Sequence, residues 1–362
     1  MVKRLSEKQR EAAEVMAEAL DGDRVAQNRL VEGISTSDYP VLLAPALNQI
    51  MLNEYEEQPG IWTQIASRET VDDFRPQDYL GMEWDRTDQD ITDSTAGETH
   101  FKGALPRVPE YGEYQRIRFA ASGQALQTKK NGVALQISWE AIVNDRQFSL
   151  LRRVPTEFGR RAAMQEEVEV IRLLTLDALW GAGNEVNGNE VTGAASEWGL
   201  TLPNLEKSFQ TIANTGYGYL APRYKLVVPN GLELTAANIL SITQVDRVEG
   251  AGTATETRYI TGNPVANKIS AVVSTDKYTQ LGGGANDWFL IPDTGSTPNP
   301  ALVNTFLAGH ESPEIFVKRT TFSAPEDGAF DNDDYESKVR HVVAGGAIDL
   351  RGALKVNVTT TP

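Results

Sequence analysis

Apolar positions along the first thirty residues recur at helical spacing. Leu5, Ala12, Val15, Met16, Ala19 and Leu20 gather on one side while Glu7, Arg10, Glu14 and Glu18 solvate the other, which predicts a helix over residues 3–31. Its stripe is thin and alanine-rich, suited to lying on a neighbour rather than nucleating a core. Asp38-Tyr39-Pro40 then breaks the chain, and Leu47, Ile50, Met51 and Tyr55 predict a second short helix ending before Pro59-Gly60.

From Val71 to about Gly123 the pattern changes. Segment 83–99, EWDRTDQDITDSTAGET, is acidic and almost without apolar residues, so it adds little to a core in its own chain. After it Gln115, Ile117 and Phe119 alternate with Tyr114, Arg116 and Arg118, as in a strand. Together they predict a long projecting hairpin. The clearest strand follows: Val133, Leu135, Ile137 and Trp139 alternate with Ala134, Gln136 and Ser138, which predicts one apolar face entering a core.

Pro155 suits the first turn of a helix, and no strong breaker appears before Gly181. The resulting helix, 155–180, spans 26 residues, roughly 39 Å at 1.5 Å per residue, and reads as a strut. Arg160, Arg161, Gln165, Glu166, Glu167 and Glu169 predict a wet first half. Val168, Val170, Ile171, Leu173, Leu174, Leu176, Leu179 and Trp180 predict a second half covered on several sides. Gly159, costly in a helix, implies close backbone contact.

Residues 181–203 are rich in glycine and asparagine and read as a loop or small hairpin. Helices near 204–213 and 231–240 alternate with strands at Lys225–Val228, Ile269–Ser274 and Trp288–Ile291, a mixed lobe. The remainder is β-rich: Glu314–Phe322 and Val339–Val343 flank an acidic turn, and Gly352–Thr360 is a last strand. The fold class is α+β.

Charge narrows the function. The 362 residues hold 50 acidic and 34 basic side chains, a formal charge of −16, which repels a phosphate backbone and disfavours sequence-specific DNA binding. There is no cysteine, which excludes a disulfide framework, a thiolate metal site and a cysteine nucleophile. The N-terminal residues lack the apolar run of a signal peptide, and no stretch has the length of a membrane span, so the expectation is an intracellular protein without membrane contact.

Candidate chemistry is sparse. His100, His310 and His341 lie in separate segments and read as surface or packing residues rather than metal ligands. Gly282-Gly283-Gly284 lacks the lysine and hydroxyl residue of a phosphate loop; Asp331, Asp333 and Asp334 lack the glycine and glutamate of a calcium loop. Asp72-Asp73 point to opposite faces of a strand and cannot share one substrate atom. The expectation is a protein with no catalytic residue, cofactor or metal. One basic concentration, Arg146, Arg152, Arg153, Arg160 and Arg161, complements Glu83, Asp85, Asp88, Asp90 and Asp93 of another copy; solvated arginines and pairs within the chain are the alternative.

The order of these parts resembles the HK97-like fold of tailed-bacteriophage major capsid proteins, most nearly the Mu-like major head subunits. The resemblance is carried by Asp38-Tyr39-Pro40, WTQIASRETVDDF at 62–74, Gly112-Glu113-Tyr114, GVALQISWEAIVND at 132–145, Trp288-Phe289-Leu290 and Ser312-Pro313-Glu314. It implies an N-terminal arm (1–80), an extended loop (81–127) lying across a neighbouring subunit, a peripheral domain (128–200 and 308–362) with a spine helix at about 155–180, and an axial domain (201–307). It further implies a homo-oligomer of pentamers and hexamers in an icosahedral shell around double-stranded DNA, with a portal protein at one vertex. Scaffold, protease or decoration proteins are the other partners that the family uses. Location in the virion after assembly in the host cytoplasm follows from the same resemblance. An encapsulin-like shell enclosing a cargo enzyme is the alternative within this fold. Lys102, Lys129 and Lys130, the lysines available for crosslinking between subunits, read as solvated charges.

Overall fold

Long alternating and helical-period runs become the elements of a computed structural model that describes residues 39–58, 60–78, 81–84, 110, 119–122, 125–138, 149–181, 189–215, 221–249, 257–297, 299–318, 334–350 and 352–359. In chain order the elements open with α1 (Tyr39–Glu57), α2 (Trp62–Ile65), β1 (Ser67–Val71), β2 (Gln77–Asp78), β3 (Gly81–Trp84), β4 (Phe119–Ser122), β5 (Ala125–Leu126) and β6 (Lys130–Ser138). Next come α3 (Ser149–Thr175), α4 (Asp177–Trp180), β7 (Asn189–Ala194), α5 (Ala195–Trp198), α6 (Leu202–Thr215), β8 (Tyr224–Pro229), α7 (Glu233–Ser241), β9 (Gln244–Glu249) and β10 (Thr257–Gly262). The last are β11 (Ile269–Thr275), α8 (Lys277–Gln280), β12 (Trp288–Pro292), β13 (Leu302–Leu307), β14 (Glu314–Val317), β15 (Asp334–Ala347) and β16 (Leu354–Thr359). The fold is α+β, as expected. The helix expected at 3–31, most of segment 83–99 and most of the strand at 114–119 lie outside the described residues, as do Lys102 and the acidic turn before Asp334.

The chain divides into two compact units. One comprises residues 1–75, 128–172 and 304–345. Its sheet runs β1-β13-β15-β14, with β6 also paired to β15. The β6–β15 ladder is antiparallel and one-to-one from Lys130↔Val342 to Ser138↔Asp334. Ile137 is buried, but Leu135 is only half-buried and Val133 is 40% exposed. The expected apolar face of β6 therefore enters the core only at Ile137, because among the described residues β6 pairs with β15 alone.

Helix α3 differs from its expected form at both ends. It begins at Ser149, so Pro155 lies inside it, removing one main-chain bond near the helix start. It stops at Thr175 because Leu176 is extended (φ −81°, ψ 94°) and α4 begins anew. Leu176 is accordingly exposed, whereas Val170, Ile171, Leu174 and Trp180 are fully covered. The first half is not simply wet either: Glu166 and Glu167 are buried. At Gly159 an added Cβ would lie 2.5 Å from the Met51 carbonyl oxygen, so α1 and α3 approach where only glycine fits.

The second unit comprises residues 76–127, 173–303 and 346–362. Its five-stranded sheet runs β11-β8-β12-β16-β7, parallel at the two outer pairs and antiparallel between. All five residues of β12, Trp288–Pro292, are buried, which explains their unbroken apolar run. Leu205 and Ile212 of α6 and Ala236 and Ile239 of α7 cover the core beside Trp288, Leu290 and Val356. The stretch 181–203, expected as a loop or small hairpin, contains a sheet strand, β7, because parallel pairing to β16 satisfies its backbone despite its weak pattern. β9 and β10 form a separate antiparallel ribbon.

Also in this unit, β2–β5 and β3–β4 are antiparallel ladders in one register: Trp84↔Phe119 lies seven steps from Gln77↔Leu126 on each strand. Residues 85–118 are thus inserted at the end of a two-stranded ribbon, the root of the expected hairpin.

Candidate functional site

At the centre of the first unit is a buried carboxylate held by three side-chain partners. Glu166, midway along α3 and 6% exposed at its side chain, accepts hydrogen bonds from Tyr55 Oη of α1 and from Trp62 Nε1 of α2 at 3.0 Å. His341 Nε2 of β15 lies 2.8 Å from the same carboxylate. Four elements distant in sequence thus meet on one side chain. Burial, with the Glu166 charge adding to it, pushes the Tyr55 hydroxyl pKa well above the usual tyrosine range. Phe306 of β13 stacks near both Trp62 and His341, and the Arg68 guanidinium sits 4.3 Å over its ring. Buried and held by three partners, this carboxylate joins α1, α2 and β15 to α3. It is a keystone.

The sheet of this unit has a second feature on its other face. Lys338 and Arg340 of β15 lie between Ala134 and Gly132 of β6 and Phe316 and Glu314 of β14. Both cations sit over the half-exposed Phe316 ring, Arg340 at 4.6 Å and Lys338 at 5.6 Å. Alternation brings Lys130 to the same face, and these residues line a concavity of about 400 Å³. Arg340 pairs with Glu314, which His310 Nδ1 also approaches at 2.7 Å. Burial raises the Glu314 pKa, but those two hydrogen bonds outweigh it and the net shift is downward.

The expected contact residues are only partly brought into view. Arg160 pairs with Glu54 at 2.6 Å, a hydrogen bond that raises its pKa, and Arg161 pairs with Glu157 at 2.8 Å one helical turn away. Arg153 is exposed on the same helix. Arg152 and Glu83 are placed by backbone alone, in α3 and β3, while Arg146, Asp85, Asp88, Asp90 and Asp93 lie outside the described residues. Sequence reasoning missed the Lys338, Arg340 and Phe316 cluster. Its signal was available in the alternation of Lys338, Arg340 and Val342 along β15.

The other chemical candidates turn inward. The amides of Gly282, Gly283 and Gly284 donate to Thr279 O, Tyr278 O and Asp287 Oδ2, so the loop presents no amide cradle. Asp287 also accepts from Tyr278 Oη at 2.8 Å and from Val358 N at 3.0 Å. Burial and the Asp287 charge push the Tyr278 pKa far up. Asp73 caps Arg75 N in an exposed turn. Among the described residues no three histidine, aspartate or glutamate side chains gather as for a metal, and no helix is long and apolar enough to cross a membrane.

No curated protein matches the chain. Among solved structures it is similar to the capsid of the cyanophage P-SCSP1u (7% identity, TM-score 0.47, 84% of this chain and 89% of that one). It is also similar to a virus-like particle from Pyrococcus furiosus (10%, 0.44, 86% and 98%) and to the SrpI encapsulin of Synechococcus elongatus (9%, 0.40, 68% and 81%). At those scores the likenesses decide nothing between them. The sequence profile of the family described as phage capsid protein, however, matches residues 123–356, well over half the chain and most of both units. The resemblance to phage major capsid proteins therefore holds: the chain belongs to the phage capsid protein family.

Proposed function

We propose that this capsid shell subunit is the major head protein of a tailed phage, self-assembling through pentamers and hexamers into an icosahedral shell around double-stranded DNA. The observation that carries the reading is the ribbon of β2–β5 and β3–β4, whose two ladders share one register and bracket residues 85–118, the acidic stretch among them. A hairpin of that length reaches on the order of 50 Å, enough to lie on a neighbouring copy. In this reading residues 81–127 are the extended loop, 1–80 the arm, 128–200 with 308–362 the peripheral domain and 201–307 the axial domain. The role is structural, not catalytic. Glu166, buried and held by three side chains, and the inward-turned glycine loop support that.

The net charge of −16 suits a container that holds DNA without gripping it by sequence. Assembly in the host cytoplasm, with a portal at one vertex and scaffold, protease or decoration proteins, belongs to the same proposal. The test is the content of particles purified from phage-producing cells. Genome-length double-stranded DNA is the expected result; particles filled with an enzyme and free of DNA would mean an encapsulin-like compartment instead.

A further inference from the structure

The sheet face that carries Phe316 has more cations than carboxylates, against the balance of the chain as a whole. Alternation and pairing put Lys130, Lys318, Lys338 and Arg340 on it with Glu314 and Glu336. Arg340 pairs with Glu314 and Lys318 with Glu336. Lys130 and Lys338, both exposed, are left without a carboxylate among the described residues. Between them lies the concavity of about 400 Å³, with Gly132 and Ala134 as a bare floor and Phe316 as a wall. That ring is 36% exposed, an apolar surface in solvent with cations on either side. The acidic turn between β14 and β15 has the complementary order. Phe330 stands between Glu326-Asp327 and Asp331-Asn332-Asp333, and no cation occurs between Arg319 and Lys338.

We propose that this concavity receives the acidic turn of a second copy: Phe330 seats on Gly132 and Ala134 against Phe316, Asp331 and Asp333 meet Lys130, and Asp327 meets Lys338. The inference rests on the shell reading, in which copies meet, and gives a partner to a turn that the reading leaves unused. Burying an aromatic ring supplies the apolar gain, and the flanking charges fix the register. The turn of the same chain does not reach. It rejoins the sheet at Asp334, opposite Ser138, and Lys130 lies eight rungs further along the ladder, roughly 26 Å at 3.3 Å per residue. Asp331 stands three residues before Asp334, about 10 Å of fully extended chain. A second copy meets no such tether.

The test is cysteine crosslinking in the full-length chain, which has no cysteine of its own. Subunits carrying Ala134→Cys, at an exposed position, are assembled with subunits carrying Ala329→Cys and treated with a short bismaleimide. A covalent pair of chains joined between positions 134 and 329 is expected. Assembled particles without that pair overturn the proposal, and so does an intrachain link in the double variant diluted into excess unmodified subunit. Phe330→Ser should lower the crosslink yield about tenfold. Asp331→Lys should lower it too, and Lys130→Glu in the Ala134→Cys subunit should restore it. An unchanged yield from Phe330→Ser, or no restoration, counts against the contact. Micrographs of the same samples separate the two ideas: shells without the crosslink reject the docking site alone, and crosslinked pairs in small oligomers without shells reject the shell reading alone.

Discussion

His341 Nε2 lies 2.8 Å from Glu166 Oε1, although 175 residues separate the two in sequence and both are almost completely buried. Tyr55 and Trp62 donate to the same carboxylate across 111 and 104 residues. Removing the acceptor strands two buried partners, Trp62 and His341, and the part-buried Tyr55 hydroxyl at once. Glu166→Ala should destabilise the subunit by about 3–5 kcal/mol, more than an ordinary core truncation of a polar residue. Urea unfolding of the unassembled subunit, followed by tryptophan fluorescence, measures it.

Gly159 gives a sharper test of packing because local and tertiary preferences oppose each other. Alanine is the better helix former by about 1 kcal/mol. Its Cβ would nonetheless sit 2.5 Å from Met51 O on α1. Gly159→Ala should therefore cost about 1–3 kcal/mol instead of stabilising, and a thermal melt of the purified subunit shows the sign directly.

Two tyrosines, the buried Tyr278 and the part-buried Tyr55, predict how the subunit responds to alkali. The Tyr55 and Tyr278 hydroxyls have pKa values raised from 10.0 by burial first and by their carboxylate partners second. The folded state therefore holds protons that the unfolded chain releases. Their contribution is complete below pH 10 and declines as pH rises above it. Tyr55→Phe and Tyr278→Phe should each flatten the fall in melting temperature between neutral and strongly alkaline pH.

Glu314 predicts the opposite limb. Hydrogen bonds from His310 and Arg340 hold its pKa below the ordinary 4.5. Its stabilising contribution is present above pH 4.5 and disappears as pH falls through the lowered value. Glu314→Gln should remove part of the acid dependence of unfolding, read from denaturation midpoints between neutral and acidic pH.

Much of the frame was legible because its signals are local. The alternation of β6 and the apolar run of β12 predict their elements to within three residues, and the long helical period predicts α3 to within six at each end. The sites were less legible because they depend on distant partners. Glu166 sits among charged neighbours and reads as solvated; only α1, α2 and β15, folded onto it, make burial possible. Val133 reads as core by period, yet is exposed because sequence does not say which strand lies at an edge. Arg160 and Arg161 read either as a patch for a partner copy or as pairs within the chain, and sequence alone does not pick out Glu54 and Glu157 as the carboxylates beside them. β7 was hidden by glycine and asparagine and exists through its pairing to β16.

Negative-stain electron microscopy of the expressed chain tests the central claim most directly. Closed shells, with sheets or tubes of the same lattice where closure fails, are the predicted result. A population of monomers that persists at high concentration, with well-folded spectra, would contradict it.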